Sequence, residues 1–282
     1  MIHTGEFFMK YDEINYWSEV KLDIIKEYAS LYSRIISTQK DPSFLHIYID
    51  AFAGAGVHIS KTKGEFVPGS PLNALLIDPP FKEYHLIDLK EEKVDNLREI
   101  ASQFENVTVH QGDCNELLLN DIFPRVQYKD YKRALCLLDP YGLHLNWNVI
   151  ETAGKMKTIE IFLNFPVMDM NMNVLWKNPD KVDKRQLERM NAYWGDASWR
   201  KAAYDTTGNL FGFEEKTGNE EIVQAFRDRL RNTATFEYVP EPIPMRNYEG
   251  ATVYYLFFAA HKPPANDIVS YIFKRHQNRG IS

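Results

Sequence analysis

Four stretches of the 282-residue chain end in residues able to do chemistry. In Asp50-Ala51-Phe52-Ala53-Gly54-Ala55-Gly56, the two glycines let backbone amides approach a ligand with no Cβ in the way. Asp50 can orient the ligand's charged end, with Phe52 where a first glycine often stands. Position 59 is Ile, so the full G-x-G-x-x-G spacing of a pyrophosphate loop is missing. Asp88 closes a second apolar run, where an acid can accept two ribose hydroxyls or, alternatively, cap the helix that follows. Asp113, with Cys114 and Asn115 beside it, can accept an adenine amino hydrogen or serve as another helix cap. In Asp139-Pro140-Tyr141-Gly142, the Asp139 carboxylate and the Pro140 carbonyl can hold the hydrogens of an amine and aim its lone pair. Tyr141 adds a flat face for stacking a base; the alternative is a plain type I turn.

These residues need a scaffold that brings the ends of several strands together. Seven runs dominated by aliphatic and aromatic residues predict strands over 46–52, 84–89, 107–110, 134–138, 159–164, 235–239 and 252–260. Helical spacing predicts helices over 17–36 with Ser18 as cap, 71–77 with Ser70 as cap, 91–104, 147–155 and 266–275. Strand and helix alternate early in the chain, which implies right-handed crossovers and a parallel sheet. The last two strands are joined by 241–251 and are expected as an antiparallel edge hairpin. The fold class expected is α/β, a Rossmann-like class I methyltransferase with a seven-stranded, mostly parallel sheet. Asn164 and Phe165 close the fifth run and are expected to line its substrate side. Residues 166–218 break the rhythm with Trp176, Tyr193, Trp194, Trp199, Tyr204, Phe211 and Phe213, and are expected as an inserted helical subdomain for substrate or partner. The core then comprises 41–165 and 219–282, with 1–40 a helical segment packed on it.

A net charge of −6 and a pI near 5.8 exclude a broad basic face for unspecific nucleic-acid binding. The window 177–201 is the exception, with seven Lys or Arg against four acids; it is a solvated helix face or a surface that contacts phosphates. Cys114 and Cys136 lie in apolar surroundings, as buried thiols do, and no metal site is expected. There is neither a basic start followed by an apolar stretch nor a run of about 18 apolar residues, so a cytoplasmic protein without a membrane span is expected.

Residues 17–25, 49–56, Pro68-Gly69-Ser70-Pro71, Gly112-Asp113-Cys114-Asn115 and 138–142 occur in an order that resembles the three-Cys-motif partner (TcmP) family over nearly the whole chain. That resemblance implies a class I methyltransferase-like protein working beside a radical-SAM-like partner with three cysteines. Phe52-Ala53-Gly54-Ala55-Gly56 resembles the F-x-G-x-G of adenine and cytosine amino-methyltransferases. Asp139-Pro140-Tyr141-Gly142 resembles the D-P-[FY]-G of tRNA guanine-N2 dimethyltransferases. The cofactor expected is S-adenosylmethionine (SAM), held by Asp50, Phe52, Gly54, Gly56, Asp88, Asp113 and Cys114. Asp139, Pro140 and Tyr141 would present an exocyclic base amine of RNA or DNA, with 177–201 against the strand. Two other outcomes stay open: methylation of a small molecule or peptide with the three-Cys partner, and a non-catalytic partner subunit.

Overall fold

The computed structural model describes residues 11–40, 43–205, 215–277 and 279. The chain opens with β1 (Asp12–Ile14) and α1 (Tyr16–Ser37), then β2 (Leu45–Asp50), a hairpin of β3 (Val57–Ser60) and β4 (Phe66–Pro68), and α2 (Ser70–Leu75). Strand and helix then alternate through β5 (Glu83–Asp88), α3 (Glu91–Ala101), β6 (Val107–Gln111), α4 (Cys114–Leu117), β7 (Lys132–Leu138), α5 (Trp147–Met156) and β8 (Ile159–Phe165). Next come α6 (Val167–Asn173), α7 (Lys184–Trp194), α8 (Trp199–Ala203) and the two-residue strands β9 (Tyr204–Asp205) and β10 (Glu215–Lys216). The chain closes with α9 (Asn219–Asn232), β11 (Ile243–Arg246), β12 (Thr252–Ala259) and α10 (Pro263–His276).

The main sheet has the order β11-β12-β8-β7-β2-β5-β6. Its five strands from β8 to β6 are parallel; β12 runs antiparallel to β8 and β11 antiparallel to β12. The chain starts in the middle with β2, builds outward through β5 and β6, returns to β7 and builds the other way. This is the seven-stranded, mostly parallel Rossmann-like sheet that was expected, and its reversal point lies between β2 and β7.

The parallel strands are covered on both faces, which is why they read as continuous apolar runs. Along β2, Ile47 and Ile49 face one core and Tyr48 the other; along β7, Cys136 and Leu138 oppose Leu135 and Leu137. The first core takes in Trp147, Ile150, Met170, Tyr193, Trp194, Trp199 and Phe226, so the helices between β8 and α9 share it. The second is closed by α1, α2 and α10 through Val20, Ile24, Tyr28, Ala74, Val269 and Ile272. Each large apolar side chain so buried contributes about 1.5–3 kcal/mol. Among the described residues no helix is long and apolar enough to cross a membrane.

Several expectations need correcting. The sixth strand is Ile243–Arg246; 235–239 is not a strand and makes only the isolated bridge of Tyr238 with Ala260. Ala234, Phe236 and Val239 are buried there, so the apolar alternation reflects packing of an irregular segment under α5 and α9. The hairpin turn accordingly shrinks from 241–251 to the residues between Arg246 and Thr252. Asn15, not Ser18, precedes α1, and Gly69, not Ser70, precedes α2; neither helix has a side-chain cap. The small sheet β1-β3-β4 was not expected at all. Phe211 and Phe213 lie outside the described residues.

The corrected segment generates a test of the packing. A Cβ on Gly154 of α5 would lie 1.9 Å from the Ala234 carbonyl oxygen, a backbone atom with nowhere to move. Gly154→Ala is therefore expected to lower stability by about 3 kcal/mol or more. A urea midpoint unchanged from the wild type would show that 233–239 does not cross α5 at this point.

Candidate active site

The parity of the strands decides what gathers at the reversal point. Asp50, the last residue of β2, pairs with Leu137 of β7, so Asp139 follows two residues on and points to the same face of the sheet. Leu138 pairs with Leu163, which brings Asn164 of β8 level with Asp139, and Asn164 in turn pairs with Leu256 of β12, two residues from Tyr254. Four adjacent strands thus present Asp50, Asp139, Asn164 and Tyr254 to the face covered by α1.

Helix α1 answers with Lys21, a buried lysine whose ammonium donates a hydrogen bond to Asp139 Oδ2. The same ammonium lies 5.2 Å from the centroid of the Tyr254 ring. Burial by itself would depress the lysine, but the charge of Asp139 beside it, with Asp50 farther off, holds it above its ordinary value. Asp139 Oδ1 accepts from Asn164 Nδ2 at 2.8 Å, so both of its oxygens are held.

Asp50 is fully buried, and burial pushes it up to about 7. The Ser70 hydroxyl bond opposes the rise, the charge of Asp139 adds to it, and the Phe52 amide and Lys21 oppose it again. Its Oδ1 accepts from Phe52 N at 3.3 Å. Tyr254, pushed up to about 12 by burial, stays a neutral phenol and donates to the Trp17 carbonyl at 3.3 Å.

The glycine turn joins a second acid. Gly54 and Gly56 have φ of +65° and +82°, and a Cβ on Gly56 would come within 2.6 Å of Ile100 Cδ1, so only glycine fits there. Asp88 Oδ2 accepts from Gly54 N at 3.0 Å and Oδ1 from Lys90 N at 2.9 Å. Asp88 does not cap α3, whose first-turn amides begin beyond Lys90. Asp113 does cap α4, its Oδ1 accepting from Asn115 N at 2.7 Å and Asn115 Nδ2 at 2.9 Å. Asn115 passes the link on, with Oδ1 accepting from Asn146 N at 2.7 Å. Cys114 is buried, and burial pushes its thiol up to about 12. Pro140 is buried, whereas Tyr141 is 91% exposed.

The structure therefore brings together Asp50 with Asp139, and Gly54 with Asp88, whose charge also acts on the Cys114 thiol, while Asp113 is engaged by Asn115 and Tyr141 faces solvent. Lys21 was missed by residue typing, although its position gave a signal. It stands four residues after Trp17 and three, four and seven before Ile24, Ile25 and Tyr28, on the helix's apolar stripe. His58 of β3 was also missed. Its ring lies 3.8 Å from where a Gly54 Cβ would be, its buried Nδ1 has no hydrogen-bond partner among the described residues, and burial lowers its pKa.

No family model and no curated protein matches the chain. Solved structures do. Protein LPL1258 from Legionella pneumophila aligns with a TM-score of 0.55 at 12% identity, over 91% of each chain. The N-methyltransferase NodS from Bradyrhizobium japonicum, crystallised with S-adenosyl-L-homocysteine, aligns with a TM-score of 0.42 at 9% identity, over 88% of this chain and 89% of its own. The Legionella likeness is one of fold.

The electrostatics generate a second test. With Asp50 at about 7 when folded, the native state keeps a proton that the unfolded chain releases near its ordinary value. This group's contribution therefore falls as pH rises from about 4 to about 7, by up to roughly 4 kcal/mol. Asp50→Asn removes that slope, so its melting temperature relative to the wild type is expected to be higher at pH 8 than at pH 5. Parallel melting curves across that range would contradict a raised Asp50.

Proposed function

We propose that the chain is a SAM-dependent methyltransferase acting on an exocyclic amine of a nucleic-acid base. The observation that carries this reading is Asp139: it stands at the reversal point of a class I methyltransferase sheet and already accepts a hydrogen bond from an amine-type donor, Lys21. The turn that would hold the cofactor is shaped by the positive φ of Gly54 and Gly56. Asp88 accepts one bond on each oxygen and keeps lone pairs for ribose hydroxyls. Asp50, Phe52, Gly54 and Gly56 would hold the amino-acid end, and Asp113 with the neutral Cys114 the adenine. When bound, SAM supplies an electrophilic methyl group on a sulfonium. Asp139 and the Pro140 carbonyl accept the hydrogens of the acceptor amine and so orient its lone pair. Tyr141, with nothing covering it, offers a face to a base lifted out of a strand.

A nucleic-acid strand would run over residues 177–201, where Lys177, Lys181, Lys184, Arg185 and Lys201 are exposed. Part of that charge is internally matched: Lys184 lies 3.7 Å from Glu188, Arg189 3.9 Å from Asp169, and Arg200 3.3 Å from Asp180. The net charge of −6 favours a second reading, methylation of a small molecule or peptide with a radical-SAM-like three-Cys partner.

Calorimetry with SAM tests the cofactor: binding is expected for the folded wild type, and its absence would sink both readings. Asp139→Ala is expected to keep SAM affinity within a few-fold while methyl transfer falls by at least about 100-fold. An equal loss of both would move Asp139 to the cofactor's side. For the strand, affinity for single-stranded RNA is expected to fall with salt at a log-log slope of about −2 to −4, as for a few phosphate contacts. A slope of zero would remove 177–201 from the interface. Tritiated methyl from SAM is expected in RNA or DNA; label confined to small molecules or protein would favour the second reading.

A further inference from the structure

Asn164 carries a polar atom that the protein leaves unused. The residue is 8% exposed, and its Oδ1 is buried with no hydrogen-bond partner among the described residues. Its orientation is fixed by chemistry. Asp139 Oδ1, 2.8 Å away, accepts, so the amide nitrogen must face it and the amide oxygen is the atom left without a donor. The main chain is fixed as well, because Asn164 pairs with Leu256 in the sheet and its carbonyl accepts from Tyr193 at 3.1 Å. A buried acceptor so held costs free energy until a donor arrives.

We infer that Asn164 is a substrate-binding residue, the second acceptor arm of the amine site. This rests on the methyltransferase reading above. Asp139 takes one hydrogen of the acceptor amine and Asn164 Oδ1 shares the other with the Pro140 carbonyl, while Asn164 Nδ2 keeps Asp139 Oδ1 in place. Lys21 holds the remaining carboxylate oxygen from the opposite side. Two acceptors beside each other select a neutral primary amino group with two hydrogens to give. A hydroxyl acceptor offers one hydrogen and would leave Oδ1 unpaired. An aliphatic ammonium has no lone pair and would sit beside the ammonium of Lys21, so it is rejected on charge.

Asn164→Leu and Asn164→Asp, made in the full chain, test this. SAM affinity, read by calorimetry, is expected to stay within about threefold of the wild type for both, which also reports that they are folded. Transfer of tritiated methyl is then measured across pH into total RNA, denatured DNA and a small-molecule extract, following whichever fraction the wild type labels. Asn164→Leu is expected to lose about 30-fold or more at every pH. Asn164→Asp places a second carboxyl against Asp139, and the pair shares a proton with one pKa raised. Its singly protonated form restores both the donor and the acceptor, so transfer is expected near wild-type level at low pH. Transfer then declines as pH rises through that raised value, a limb absent from the wild type. Full activity in Asn164→Leu, or a wild-type pH profile in Asn164→Asp, would overturn the assignment alone. A wild type that binds no SAM or labels no fraction would overturn the methyltransferase reading and this assignment with it.

Discussion

Two carboxylates at the buried ends of adjacent parallel strands repel each other unless a positive charge is brought to them, and Lys21 is that charge. The sheet makes the problem unavoidable: the register of β2 on β7 puts Asp50 and Asp139 on one face, with neighbouring strands about 4.8 Å apart. Solvent cannot screen the pair on the Asp50 side, which is fully buried. Helix α1 must therefore lie with its apolar stripe on the sheet and its lysine over the gap. Even with the ammonium in place burial pushes Asp50 up to about 7, because a buried charge is more costly than a neutral acid. The position of α1, and through it the second core with α2 and α10, is tied to the electrostatics of the strand ends.

That constraint explains the division of labour around the reversal point. The acids nearest Lys21 form one polar cluster with Asn164 and Tyr254, while Asp88 is fastened to the glycine turn by main-chain amides. Backbone amides hold both oxygens of Asp88, whereas side chains hold those of Asp139. One half of the cluster is thus held by the main chain and the other by a side-chain network.

The central strands were legible because burial on both faces leaves a continuous apolar run that few other structures produce. The same cue misled at 235–239, where Ala234, Phe236 and Val239 are buried in a coil under two helices; burial alternates there without a neighbouring strand to pair with. The glycine turn and the four acids were legible from residue type and spacing. Their partners were not: the bond from Gly54 to Asp88 spans 34 residues and that from Lys21 to Asp139 spans 118. Lys21 could have been found as a charge on an apolar stripe. Nothing in the residues of β3 announced that His58 would lie over the glycine turn, since that follows from a strand pairing between β1 and β3 that local pattern does not encode.

Tyr141 is held by nothing and buries almost nothing, yet it stands two residues from Asp139. Exposed positions of this kind tolerate substitution with changes of about 0.5 kcal/mol or less. A lineage carrying this scaffold could exchange the aromatic ring for another side chain without endangering the fold, and under the proposed function it could so drift from one acceptor to another in single steps. Asp139, locked between Lys21 and Asn164, has no such freedom. Under that reading the carboxylate is bound to its partners while the ring that would choose among targets is free to change.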